Sequence, residues 1–303
     1  ITITLGVTVG SIWGYSKSMD KWMIEIYNII ANVPFTLIVF VMMYILGRGF
    51  WQLIFAMSVT SWLGTAYFIR TQVMIIRDRL FNVVCNIRTP KADGKISIGT
   101  GSFIIKDNKV YLLTADHVAK TVDNNTVLAF GKHQSNCVVL PLTTLSNGNA
   151  WKIHPIADMA VIELNILGHL NLFQDRCFPY DHINDSDTPA SRDDELTVIG
   201  FPHGLGVQGK FSPLTFRSYA SSAFLTLPRA DTKTPSDFFC LENPSVGGYS
   251  GGPVFDMGYE KMGCATATKE KTVLHGIVHG TMSDETGGKI ALITPMLYIK
   301  DLI

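Results

Sequence analysis

The chain has 303 residues, with 25 basic and 25 acidic side chains and a formal net charge of zero. This balance indicates no nucleic-acid partner, since such partners call for an excess of basic side chains. Its length is sufficient for one or two domains with a large buried core. Charged residues make up only 17% of the chain, against roughly 25% in soluble domains. The deficit is local, because only Glu25 and Arg48 are charged between Trp22 and Ile69.

This uncharged stretch contains two apolar segments, 26–46 and 50–69. Each has the length of about 20 residues that a helix needs to cross a bilayer. The Gly-Arg-Gly sequence 47–49 between them predicts a tight turn, so the sequence predicts a transmembrane helical hairpin within a membrane region over 1–79. Pro34 predicts a kink near the start of the first segment. A pair of buried core helices is the alternative, and residues 1–15 are a candidate for part of another span.

Basic residues around the hairpin predict its orientation. Those outside the two segments are Lys17, Lys21, Arg70, Arg77 and Arg79, whereas the turn contributes Arg48 alone. By the positive-inside rule, this asymmetry places the remainder of the chain on the cytosolic side of a membrane. The five cysteines agree with a reducing compartment, because they are odd in number and lack the spacing of a zinc site. They are Cys85, Cys137, Cys177, Cys240 and Cys264.

From about residue 80 onward the sequence predicts an all-β domain. Short runs rich in Val, Ile, Phe and Thr alternate with turn signals at 106–109, 146–149 and 202–206, a pattern typical of strands. Such spacing suits Greek-key barrels. Residues 181–195 are acidic and contain Pro and Ser, which predicts a linker or a surface loop.

A serine framed by glycines is the strongest chemical signal. Residues 247–253 read Gly-Gly-Tyr-Ser-Gly-Gly-Pro, a frame that can hold the hydroxyl of Ser250 on a tight turn beside backbone N–H groups. Such N–H groups stabilise the oxyanion of acyl transfer. A serine nucleophile needs a base and a residue that orients the base. His117 in Leu-Leu-Thr-Ala-Asp-His-Val and Asp158 in Ala-Asp-Met-Ala-Val-Ile-Glu-Leu are the candidates.

With Gly-Thr-Gly-Ser-Phe at 99–103, these motifs resemble the trypsin/chymotrypsin-like serine proteases over roughly 80–303. The resemblance implies a chymotrypsin-like double six-stranded β-barrel, with barrel 1 at about 80–180 and barrel 2 at about 196–303. It also implies roles for the residues that match: Ser250 as nucleophile, His117 as general base and acid, and Asp158 as the residue that orients His117. The N–H groups of Gly248 and Ser250 would form the oxyanion hole.

The same resemblance implies a specificity pocket near Pro244, Ser245 and His279. Pro244 stands where a preference for Arg or Lys would require an aspartate. Viral relatives that cut after Glu or Gln use a Ser or Thr with a histidine in this pocket, so Ser245 and His279 indicate that preference as one alternative. A neutral structural histidine is the other, and His275 is a second candidate for the pocket.

The sequence therefore predicts a membrane-tethered serine endopeptidase that acts on polypeptides, contacts the membrane through 26–69, and uses no cofactor and no metal. Two settings fit: a viral protease that processes its own polyprotein at a replication membrane, and a bacterial peptidase tethered to the inner membrane. Two alternatives without catalysis remain open. One is a pseudoprotease that binds peptides, and the other is a membrane-organising protein in which the hairpin is the functional part. The sequence leaves the oligomeric state open.

Overall fold

The computed structural model describes residues 2–15, 17–47, 49–257, 259–262, 265–268 and 272–303. The polypeptide forms two compact units, Ile1–Asp78 and Arg79–Ile303. Arg48 and Cys264, which entered the predictions of orientation and redox state, lie outside the described residues. The four described cysteines, Cys85, Cys137, Cys177 and Cys240, are free thiols.

The first unit is helical. Its helices are α1 (Thr2–Tyr15), α2 (Lys17–Ala31), α3 (Phe35–Leu46) and α4 (Phe50–Asn82), the last of which continues into the second unit. The predicted segment 26–46 is sharply bent near its start, because α2 and α3 meet at an angle of 88°. The break falls at residues 32–34. Pro34 lacks an N–H and precedes the first residue of α3, so the helix cannot continue through it.

By length and composition, Phe50–Arg70 of α4 is a helix able to cross a membrane. The bent pair formed by α2 and α3 passes the same test only when it is counted as one span, and Ile3–Gly14 is shorter. Asp20 organises the packing of these helices: it accepts hydrogen bonds from Trp13 Nε1 at 2.9 Å and from the Arg70 guanidinium. Among the described helices, the predicted hairpin thus keeps one unbroken candidate span, Phe50–Arg70.

The second unit is mostly β-structure with short helices. The strands of its first sheet are β1 (Val84–Pro90), β2 (Ile96–Lys106), β3 (Lys109–Thr114), β4 (Val127–Phe130), β5 (Val138–Pro141), β6 (Lys152–Ile153), β7 (Ala160–Leu164) and β8 (Phe178–Pro179). The helices that interrupt them are α5 (Asp116–Ala119), α6 (Leu142–Ser146) and α7 (Leu170–Phe173). Short 3-10 helices lie at Leu167–His169, Tyr180–His182, Pro202–Gly204 and Met296–Asp301. The sheet order is β5-β4-β1-β2-β3-β7-β6, and β8 pairs in parallel with β2.

A second antiparallel sheet follows the connection through 181–194. Its strands are β9 (Glu195–Gly200), β10 (Leu214–Tyr219), β11 (Leu225–Pro228), β12 (Pro235–Leu241), β13 (Pro253–Asp256), β16 (Val273–Ser283) and β17 (Lys289–Pro295). Their order is β10-β9-β13-β16-β17-β12-β11. A separate hairpin pairs β14 (Tyr259–Met262) with β15 (Ala265–Thr268). The predicted all-β fold with two barrel domains is thus confirmed.

The strand count differs from the expected six in each barrel. The first sheet has eight strands because the two-residue strands β6 and β8 are added to its edge and side. The second has seven, because β11 extends it by pairing with β12 alone. Alternating buried side chains, such as Phe103 and Phe255, fill the interiors of the two sheets.

Candidate active site

His117 lies one turn after β3, on the short helix α5. Its ring Nδ1 is 2.7 Å from Oδ2 of Asp158, and its backbone N–H donates to Oδ1 of the same carboxylate at 3.0 Å. Asp158 is fully buried, directly before β7. Because β3 and β7 are antiparallel neighbours, the sheet brings these two side chains together although 41 residues separate them.

The loop that carries Asp158 is shaped by a histidine that sequence reasoning missed. Nδ1 of His154 accepts hydrogen bonds from the N–H groups of Ile156, at 3.2 Å, and Ala157, at 2.8 Å. Its other ring nitrogen lies 3.2 Å from the carboxylate of Asp301. The side chain is buried, so it fixes the turn from the interior. Its place shortly before Asp158 was the available signal.

His279, predicted as a pocket residue, contacts Asp158 through its ring. Its Nδ1 donates to Oδ2 of Asp158 at 2.5 Å, and its Nε2 accepts the N–H of Ala230 at 3.3 Å. An Nε2 that accepts a hydrogen bond leaves the proton on Nδ1, so the neutral ring satisfies both contacts. His279 thus holds the carboxylate that holds His117.

Arg229 is a further buried partner of this carboxylate. One of its terminal nitrogens lies 3.1 Å from Asp158, 2.6 Å from Asp116 and 2.7 Å from Asp231. The other donates to the carbonyl of Ala157 at 3.0 Å. Arg229 follows β11, so the second sheet supplies a cation to the carboxylates of the first. Sequence reasoning missed it, since no local motif marks an arginine that reaches across 71 residues.

Thr100 holds the serine loop against the first sheet. Its hydroxyl donates to the carbonyl of Gly248 at 2.7 Å, and its N–H donates to the carbonyl of Ser250 at 2.9 Å. The same hydroxyl accepts the N–H of Phe201 at 3.2 Å. The Ser250 hydroxyl makes a long contact of 3.4 Å with the carbonyl of His279. Residue 279 therefore contacts both the serine and, through its ring, Asp158.

Gly248 and Gly251 permit the tight course of this loop. Gly248 has a φ of 105°, and a Cβ there would lie 2.4 Å from the carbonyl oxygen of Phe201. Gly251 has a φ of 79°, and a Cβ there would lie 2.2 Å from Oγ1 of Thr114. Within the described part of the chain, the N–H groups of Gly248 and Ser250 donate to no backbone carbonyl. They remain available to an oxyanion.

Two pockets flank Gly280 and Thr281 at the end of β16. One, of about 570 Å³, is bordered by His117 and His279, and the other, of about 490 Å³, is bordered by Ser250 and Ser245. Of the predicted pocket residues, Ser245 lines the second pocket, His279 lines the first, and Pro244 is exposed beside them.

The alternative candidate His275 lies elsewhere. Its ring Nδ1 is 3.1 Å from the side-chain nitrogen of Asn184, in the connection between the two sheets. It does not border either of these two pockets.

Residues 99–262 match the model of the trypsin-like peptidase domain. The chain belongs to the trypsin-like peptidase family. The match extends over more than half of the chain and includes the segments that carry His117, Asp158 and Ser250.

Similar folds occur among solved structures. The active form of the Rv3671c protease from M. tuberculosis has 17% identity and a TM-score of 0.49, with 75% of this chain and 81% of that chain covered. The MamO protease domain from Magnetospirillum magneticum has 13% identity and a TM-score of 0.48, with coverage of 75% and 98%.

A second group of relatives consists of transport system permease proteins. Over 83 residues the peptidase is 54% identical to the oligopeptide transport system permease protein AmiD of Streptococcus pneumoniae, which covers 27% of each chain. Over 79 residues it is 33% identical to the dipeptide transport system permease protein DppC of Bacillus subtilis, which covers 26% of this chain and 25% of the permease. The peptidase thus spans about a quarter of the length of these curated relatives.

The electrostatics of the peptidase site favour an ionised Asp158. Burial would raise the pKa of Asp158, but hydrogen bonds from His117 and His279, together with the positive charge of protonated His117, keep this pKa far below its usual range. Burial also favours neutral His117, yet the hydrogen bond and charge of Asp158 outweigh it and raise the pKa of His117 above its ordinary value. An opposite charge at hydrogen-bond distance accounts for both directions.

The donor set of the site also resembles a metal-binding set. Nδ1 of His117, Nδ1 of His279 and a carboxylate oxygen of Asp158 lie within 4.8 Å of one another. Both ring nitrogens, however, direct their hydrogen bonds to Asp158 at 2.7 and 2.5 Å. A metal ion bound at these atoms would have to displace both protons.

Proposed function

We propose that the peptidase hydrolyses peptide bonds through Ser250, His117 and Asp158. The observation that carries the proposal is the His117–Asp158 pair, with Nδ1 held at 2.7 Å by a fully buried carboxylate, across Gly280 and Thr281 from the pocket that Ser250 borders. With its proton on Nδ1, His117 has Nε2 free to take the serine proton. This division of roles is the one that a serine nucleophile needs.

In the first half of the reaction, Oγ of Ser250 forms a bond to the substrate carbonyl carbon while its proton passes to Nε2 of His117. The N–H groups of Gly248 and Ser250 would stabilise the resulting oxyanion. His117 then returns the proton to the leaving amine and an acyl-enzyme remains. In the second half, water repeats the sequence with His117 as base and releases the new carboxylate. In the substrate complex the Ser250 hydroxyl is expected to turn from the carbonyl of His279, 3.4 Å away, to Nε2 of His117, because catalytic hydrogen bonds often form fully only in that complex.

We also propose that the N-terminal helices anchor the peptidase to a membrane. The permease matches extend over 79 to 91 residues, a length close to that of the unit Ile1–Asp78, and we infer that this unit carries the likeness. Only 19% of the apolar window in Phe50–Arg70 is buried. Its side chains Trp51, Phe55 and Phe68 are 76%, 55% and 60% exposed, which suits lipid better than water. The matches cover about a quarter of the permeases, so the proposal concerns anchoring and not transport.

The same comparisons favour the bacterial setting, since the permeases come from bacteria. Arg70 ends the candidate span and Arg79 follows it, and the positive-inside rule then supports a peptidase domain on the cytosolic side. Processing of a viral polyprotein gains no comparable support.

Turnover of a quenched-fluorescence casein by the full chain in detergent tests the proposed chemistry. The unchanged protein should cleave it, whereas Ser250→Ala and His117→Ala should each lose nearly all activity, because the members of a triad act as a unit. His169 is half-buried and borders neither pocket, so His169→Ala is the control and should retain activity. Cleavage by Ser250→Ala equal to that of the unchanged chain would contradict the mechanism.

Extraction of bacterial membranes with alkaline carbonate tests the anchor. The full chain should stay in the membrane pellet, and Phe55→Arg/Met57→Arg should move it toward the supernatant, since each arginine in a span costs about 2.5–3.5 kcal/mol. Ile153→Arg, at an exposed apolar position of the second unit, is the matched control. Release of the unchanged chain would overturn the proposal.

A further inference from the structure

The pocket that Ser250 borders is lined largely by polar side chains. Its volume is about 490 Å³, and Ser245, Thr281, Ser283 and Lys289 contribute three hydroxyls and one ammonium group. Lys289 is the single charged residue in this lining. A pocket so equipped offers hydrogen-bond donors and a positive charge to its occupant.

The hairpin that joins β16 to β17 positions this ammonium group. Ser283 and Lys289 are partners in the antiparallel register, so both project from the base of the hairpin. The carboxylate of Asp284 is occupied by the turn itself, where it accepts the N–H groups of Thr286 and Gly288. Among the described residues, no carboxylate lies within 4.0 Å of the Lys289 ammonium group. Its charge is therefore available to a ligand.

The hydroxyls around it form a prepared polar wall. Oγ1 of Thr281 lies 2.8 Å from the carbonyl oxygen of Ser245 and 2.8 Å from its Oγ. When Thr281 donates to that carbonyl, the Ser245 hydroxyl donates to Oγ1 of Thr281, so the two hydroxyls satisfy each other. The ammonium group of Lys289 is then the charged donor that this pocket offers to an occupant.

We propose, on the basis of the serine peptidase function proposed above, that the enzyme cleaves after acidic residues. Attack by Ser250 places the carbonyl of the cleaved bond at Ser250, so the side chain of the residue that bears this carbonyl, termed P1, enters the adjoining pocket. A P1 carboxylate gains a charge-assisted hydrogen bond from Lys289. A basic side chain is repelled, and an apolar one leaves the ammonium group without a partner. His279 takes no part in this recognition, because its ring is engaged with Asp158.

Kinetics on a matched peptide series tests this specificity. The full chain in detergent is given fluorogenic tetrapeptides that differ only in P1, as Glu, Asp, Gln, Leu or Lys. We expect kcat/KM to be roughly 10- to 100-fold higher for an acidic P1 than for Gln, the range expected of a hydrogen bond to a charged group. Lys289→Met should abolish the ratio, and Lys289→Glu should favour a P1 lysine. Lys91→Met, an exposed lysine in the turn between β1 and β2, is the control and should leave the ratio unchanged.

The outcomes separate this inference from the function on which it rests. Cleavage that prefers Gln, Leu or Lys, with labelling of Ser250 by a fluorophosphonate, overturns the acidic specificity and leaves the peptidase intact. A preference for acidic P1 that persists in Lys289→Met also overturns it. Absence of both cleavage and labelling overturns the proposed function, and the specificity with it.

Discussion

Replacement of Arg229 by methionine should strongly destabilise the peptidase unit. Arg229 is 2% exposed, and its guanidinium lies between Asp116 and Asp158, which are 1% and 0% exposed. Methionine fills much of the same volume but leaves these carboxylates without their shared cation. Removing one partner of a buried ion pair costs about 3–5 kcal/mol, because the other charge stays buried. Lys120, at 2.6 Å from Asp116 and half exposed, offsets part of this cost.

Calorimetry on the full chain in detergent measures the effect. A loss of 3–5 kcal/mol should lower the Tm of a unit of this size by roughly 6–20 °C. Arg217→Met is the matched control, because Arg217 pairs with Glu195 at 2.8 Å on the surface with its side chain 68% exposed. Exposed pairs are worth about 0–1 kcal/mol. Equal losses of stability in the two variants would refute the assignment of a buried ionic centre to Arg229.

Three further changes probe the site, each by one measurement. Neutral His117 is the base, and the charge of Asp231 contributes to its raised pKa, so kcat/KM should rise with pH through a midpoint above the ordinary value of about 6.5. Asp231→Asn should lower this midpoint. An unchanged pH profile would contradict the contribution of Asp231 to the pKa of His117. Gly248→Ala should abolish turnover of casein, because Gly248 has a φ of 105° and its Cβ would meet the carbonyl of Phe201. Gly209→Ala, with a φ of 86° and open space, should share the backbone strain but keep activity; equal activity of the two would refute the role of the loop. Thr100→Val should cost about 1–3 kcal/mol in urea unfolding and reduce kcat, since the carbonyl of Gly248 loses its buried donor; full stability and kcat would show that the hydroxyl does not hold the loop.

Short sequence motifs predicted the strands and the candidate His117–Asp158 pair, because neighbouring residues along the chain carry the information for both. Alternating apolar residues predicted the strands on which the site is built, and the phrases around His117 and Asp158 marked the pair that the structure brings to 2.7 Å. Beside the serine, buried Tyr249 packs edge-on against Phe216 at 5.0 Å.

What the sequence could not reveal depends on contacts between distant segments. Arg229 lies 113 residues from Asp116, and no periodicity reports which loop of the second sheet meets the first. The sequence around His279 indicated a pocket residue, but only the fold shows that its ring also contacts the carboxylate of Asp158. Lys289 was missed for the same reason, since its place beside Ser250 follows from the pairing of β16 with β17. The break at Pro34 was foreseen as a kink, and its angle of 88° was not.

The central claim, an activated serine at position 250, is tested most directly by labelling with a fluorophosphonate. The full chain in detergent is treated at pH 8, digested, and analysed by mass spectrometry beside Ser250→Ala and His117→Ala. The account predicts a single adduct on Ser250, its absence in Ser250→Ala, and a labelling rate lowered by orders of magnitude in His117→Ala. Folded protein that takes up no label, or that labels equally fast without His117, would contradict the account and would favour a peptide-binding pseudoprotease.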